Sequence, residues 1–236
     1  MYSQQVRRTS HSGGRSACRY SRCVSTERSV TQPDDVAALQ RALDTAEHDA
    51  RALVTGLSEE LGTWRQHPGS WSVAECLDHL ATANRVYLAA MQPPAERALG
   101  RGRRRRRPVL PGLIGSWFVR WLEPPVKPLS RGKAPRKIRP RPSPALAEAI
   151  QQFLASHREI GKFLITYSEI DLAGVRFPNP FIKGVRFSLA TGLHVLEAHE
   201  RRHLWQGWGV RRAAEHANPP SPLSNEREGR FSRNGV

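Results

Sequence analysis

Residues 199 to 203 read HERRH, two histidines four positions apart with a glutamate after the first. This matches H-E-x-x-H, in which two imidazoles on one helical face hold zinc and the glutamate acts as a base. The rest of a zinc protease is missing. The extended form of that motif needs a glycine and then a histidine where this chain has Gln206 and Gly209. Glu226 and Glu228, the acids placed to serve as a downstream ligand, fall in a stretch with the composition of a disordered tail. A protease is set aside on these grounds.

The spacing still suits a metal. On an α-helix His199 and His203 differ by about 40°, so both imidazoles lean from one face a turn apart. Gly192, Val195, Leu196 and Gln206 share that stripe, while Arg201 and Arg202 are expected to point to solvent. Two buried histidines need partners. Hydrogen bonds alone could supply them, which leaves a purely structural pair as the alternative. A cation needs a third ligand, and the candidate is His79, at the edge of another apolar stripe beside Cys76 and Ala83. Three histidines would leave coordination positions open, as in catalytic sites.

Glu200, next to one ligand, and Glu75, a turn before another, are candidate bases or ligand-orienting groups. Each is expected chiefly elsewhere: Glu200 facing solvent, Glu75 in a helix cap. His157 is expected to be a core histidine with a hydrogen bond, with a fourth-ligand role as the alternative. His194 lies about 140° round the helix from His199 and misses the site. His48 and His67 read as surface or loop residues.

The elements that must carry these side chains are helices. Val36, Leu39, Leu43, Ala46, Ala50 and Leu53 recur at helical spacing, behind Pro33 and a cap at Asp34 or Asp35. Ser72 and Glu75 form a capping box ahead of the stripe Val73, Cys76, Leu77, Leu80, Ala83, Tyr87. Asn84 interrupts that stripe and is expected only to bond a neighbouring helix. Ser143 as cap and Pro144 at the first position open a third helix, and Ser188 caps a fourth. No strand is expected. Four helices with one apolar face each make an all-α four-helix bundle. The join between the second and third helices is far longer than a usual bundle connection and permits a crossover. Within it Trp117 and Trp121 mark a short helix lying on the bundle.

The domain reading is a disordered basic extension over 1–32, a bundle over 33–213 with a basic crossover at 99–142, and a disordered tail over 214–236. The chain has 236 residues, 39% of them hydrophobic, and a formal net charge of +16. Residues 101–141 hold +13 of that charge and residues 1–30 hold +5, so the rest of the chain is nearly neutral at −2. A nucleic-acid-binding fold carries its charge on the folded surface, and here it lies in two segments. The N-terminal stretch lacks the apolar core of a secretory signal; it is Arg-rich, as organellar transit peptides are, and reads as an unstructured extension. Cys18, Cys23 and Cys76, an odd set without zinc-finger spacing, argue for a reducing compartment, the cytoplasm.

The stretches WSVAECLDHL, with Trp71 and His79, and HERRHLWQ, with His199, His203, Trp205 and Gln206, together resemble the DinB-like superfamily. The segment LAGVRFPNPFIKGVRFSLATGL resembles the approach to the last helix in such proteins, and the likeness spans roughly residues 33 to 212. The resemblance implies an up-down-down-up four-helix bundle and a three-histidine metal site, matching His79, His199 and His203. It further implies a divalent metal, zinc or nickel foremost, and thiol-dependent transfer with low-molecular-weight thiols. The basic extensions depart from the family pattern.

Three functions follow as expectations. The first is a divalent-metal-dependent enzyme on a small molecule, of thiol S-transferase or hydrolase type, with the cation lowering the pKa of a thiol or water. The second is polyanion binding, to nucleic acid or anionic membrane, through RGRRRRRP and RGKAPRKIRPRP within residues 101–141. The third is a metal-binding bundle without turnover, as a monomer or a homodimer.

Overall fold

The computed structural model describes residues 32–125 and 134–218. The chain divides into two units, residues 1–31 and 32–236, and everything described belongs to the second. The expected N-terminal extension, Cys18 and Cys23, and the tail beyond residue 218 lie outside the described residues. Residues 214–217, assigned to the tail, are the last turn of the final helix.

The described structure is almost all helix. Helix α1 is Asp34–Val54, α2 Glu59–Thr63, α3 Val73–Gly100, α4 Leu113–Leu122, α5 Leu146–Tyr167 and α6 Leu189–Ala217. Both α1 and α3 pack against α5 and α6, and α4 lies on α6. The apolar stripes meet in two buried clusters. One centres on Leu43, Met91, Phe177 and Leu193. The other gathers Leu53, Leu80, Phe153 and Leu204 around the start of α3. A two-stranded antiparallel ribbon, β1 Arg176–Pro178 and β2 Arg186–Ser188, pairs Phe177 with Phe187. It corrects the expectation of no strands: three residues on each side are too few to show alternation, and both phenylalanines face the core.

The helix starts that depend on a local side chain form as expected. Ser72 accepts from the Glu75 amide while the Glu75 carboxylate accepts from the Ser72 amide. Ser188 accepts from the Thr191 amide at 3.0 Å. Ser72→Ala should therefore cost about 1 kcal/mol, read as a lowered denaturant midpoint at unchanged slope.

Other starts differ from expectation. Pro33, without a side-chain bond, precedes α1. Asp35 instead accepts from Arg105 and from the Val109 amide, tying α1 to the crossover. Ser143 does not cap α5; it stands at φ +47°, and Ala145 takes the cap position. The orphan amide of Leu146 is met from another helix, by the Glu59 carboxylate at 2.6 Å. Helix α3 also continues past Met91 through Pro93 and Pro94. Two prolines forfeit two ladder hydrogen bonds, and burial of Pro94, Ala95 and Ala98 offsets that loss.

Candidate metal centre

The long helices bring three distant histidines to one place. His79 sits two turns into α3, and His199 and His203 lie mid-way along α6. One ring nitrogen from each lies within 4.8 Å of the other two. His79 Nε2 and His199 Nε2 are 3.2 Å apart. Ring centroids are separated by 5.0 Å for His79 and His199, 4.5 Å for His79 and His203, and 4.7 Å for His199 and His203. The Trp71 indole packs on His79 and His203, at 4.7 and 5.6 Å between centroids.

Two of the rings are held from behind. His79 Nδ1 donates to the carbonyl of Ile138, in a 3-10 turn over Arg136–Ile138. His203 Nδ1 donates to Gln206 Oε1 at 3.0 Å. With Nδ1 protonated, each Nε2 carries a lone pair into the site, which is how metal-bound histidines are oriented. Lone pairs converging this closely repel one another unless a proton or a cation lies between them. A second proton, which would make a ring cationic, is disfavoured here. Burial pushes the His79 pKa down to about 4, and burial with the neighbouring imidazoles lowers His199 and His203 well below their ordinary value. Tetrahedral ligands about 2.1 Å from zinc stand about 3.4 Å apart, close to the 3.2 Å between His79 Nε2 and His199 Nε2. A buried, neutral, all-imidazole donor set of this size fits a divalent transition metal.

Glu200 corrects an expectation. It is fully buried, not solvent-facing. One oxygen accepts from Asn84 at 2.8 Å and the other from His157 Nδ1 at 2.9 Å. Asn84 also donates to Ser156. His157 is thus a hydrogen-bonded core histidine and stands outside the three-histidine cluster. Asn84 and His157 both interrupt apolar stripes, so each needs a polar partner inside, and Glu200 is the partner they share. Arg202 is also a correction: it is buried, with its guanidinium 5.8 Å from the Trp121 ring centroid. Arg201 pairs with Glu123 and Glu197. His194 bonds the Val109 carbonyl, away from the site.

A cleft of about 1140 Å³ opens over the histidines. Trp71, Trp121 and Trp205 stand in its wall, with Arg65, Arg139, Arg202 and Arg212. Glu75 is the one acid lining it among the described residues, and it is engaged by the Ser72 cap and by Arg65 at 2.6 Å.

The family model of the DinB superfamily matches residues 42–206, which takes in all three histidines. The chain belongs to the DinB superfamily. No curated protein and no solved structure matches it. It carries a helix-borne cluster of three histidines that could hold a metal ion, and among its described residues no helix is long and apolar enough to cross a membrane.

Proposed function

We propose that α1, α3, α5 and α6 form an up-down-down-up four-helix bundle that holds one divalent cation on His79, His199 and His203. We infer an enzyme of thiol S-transferase or hydrolase type, acting on a small anionic molecule. The observation that carries this reading is the convergence of three neutral imidazoles at the floor of an open cleft, two with the far nitrogen already bonded.

A zinc or nickel ion held there would act as a Lewis acid and lower the pKa of a thiol or water reaching it. The chain's own residues do the rest. Ile138 and Gln206 fix two imidazole tautomers, and Trp71 keeps water off two rings. The arginines of the cleft draw in a negatively charged substrate, since the only acid beside them among the described residues is already paired. Cys76 is buried and its thiol pKa is raised by that burial. A thiolate for transfer would therefore come from a bound low-molecular-weight thiol and not from Cys76. Glu200, buried with both oxygens engaged, supports α6, and Glu75, in the cleft wall, has its oxygens taken by the Ser72 cap and Arg65.

Metal content tests the reading directly. Purified protein incubated with zinc or nickel and desalted should hold close to one equivalent by mass spectrometry. The combined His79→Ala, His199→Ala, His203→Ala variant, folded by circular dichroism, should hold none. Metal retained by that variant, or absent from the wild type, overturns the proposal.

A further inference from the structure

Helix α4 is apolar apart from Ser116 and Arg120. A surface helix normally turns its polar face to water. In α4 the positions Leu113, Trp117, Trp121 and Ile114 fall in one arc about 100° wide, and that arc faces outward. Leu113 is 94% exposed, Ile114 77% and Trp117 67%, with Leu110 extending the patch. The opposite arc is the packed one. Gly115 lies so close to Thr191 that an added Cβ would stand 2.5 Å from its hydroxyl oxygen. The Phe118 ring lies 5.3 Å from that of Phe187. The packing that fixes α4 on α6 thus leaves its apolar arc in water.

Arg120 borders that arc on the helix itself, and an arginine run precedes α4 in the chain. Within the arginine run, Arg105 is held by Asp35 and Arg107 by Asp171, and Arg103 stands 3.9 Å from Asp171. Arg101, Arg104 and Arg106, and Arg120 on α4 itself, are exposed and make no ion pair among the described residues. A partner for this surface must offer apolar depth and negative charge together. A second copy of the chain would set one arginine run against another. A nucleic acid would use the charge and leave the tryptophans and leucines in water. An anionic lipid bilayer meets both demands, because apolar side chains enter the interface while arginines stay among the headgroups.

We propose that the outward face of α4, with Leu113, Ile114 and Trp117 inserted and Arg101, Arg104, Arg106 and Arg120 among the phosphates, docks the protein on anionic membrane surfaces. This inference is independent of the metal reading.

The test is co-sedimentation of the full chain with vesicles of phosphatidylcholine and phosphatidylglycerol, against pure phosphatidylcholine. Binding is expected to the mixed vesicles only and to weaken with salt. Arg101→Ser, Arg104→Ser and Arg106→Ser together should lower the partition coefficient on the order of a hundredfold. Leu113→Ser, Ile114→Ser and Trp117→Ser together should lower it about tenfold or more. These side chains are outside the core, so both variants should keep the wild-type melting temperature, which is measured alongside. No binding to the mixed vesicles overturns the proposal. So does vesicle binding, or duplex DNA binding of equal strength, that survives the apolar variant. Self-association by light scattering that the apolar variant abolishes, without vesicle binding, would also overturn it in favour of a second copy.

Discussion

Glu200→Ala should destabilise the protein by about 3–5 kcal/mol, because it removes one partner from a buried polar network and strands the others. The carboxylate is fully buried and receives Asn84 and His157. Without it the His157 ring and the Asn84 amide stay in the dry interior with a donor each unmet, beside a new cavity. Glu200→Gln keeps the shape and an acceptor, so its loss should be less than half as large. Urea denaturation of both variants checks the ranking. A loss under about 1 kcal/mol for the alanine variant would mean the network is not closed as described.

The same pair predicts a pH dependence. Burial opposes protonation of His157, but the bond to Glu200 and its charge outweigh burial and raise the pKa above its ordinary value. The folded state then holds that proton more tightly than the unfolded chain. This contribution is complete below about pH 6.5 and fades as pH rises through the folded value. The site histidines work in the opposite sense. With His79 held down to about 4, metal-free protein should lose stability as pH falls from the ordinary histidine value towards that one. Glu200→Gln should remove the alkaline limb and leave the acid limb in place.

The second large effect lies at the proposed metal site. Three imidazoles would bind a cation jointly, and removing one should cost about 2.5 kcal/mol or more, close to a hundredfold or more in Kd. His203→Ala should show that loss in chelator competition. Gln206→Ala should be milder, about tenfold to a hundredfold, because Gln206 touches only the far nitrogen of His203. The order of the two is the informative result. Equal affinities for Gln206→Ala and wild type would mean that the bond behind His203 plays no part in holding the ring.

The helices and the His199–His203 pair were legible for a local reason, while His79 joined that pair as a candidate from its own stripe and through the family resemblance. Ser72, Glu75 and Ser188 act on amides three residues away, and the stripes of α1, α3, α5 and α6 follow from periodicity alone. What failed was non-local. The amide at the start of α5 is met by Glu59, and Asp35 bonds the crossover in place of its own helix; neither follows from spacing. Glu200 and Arg202 were expected in water because charged residues on a helix usually mark its exposed face. Helix α6 is packed by α1, α3 and α4 on separate sides, so it has little solvent face at that level. The polar interruptions at Asn84 and His157 were visible, and their pairing with a third helix was not.

The bond from His79 to Ile138 has a temporal meaning. It joins residues 59 positions apart, and the meeting of His79 with His199 spans 120. Contacts that distant form only after the intervening chain has closed, and closure is slow relative to local helix formation. A cation could therefore be held by all three imidazoles together only after that closure. Full three-ligand metallation would then follow folding, with the metal at hand once the chain is complete.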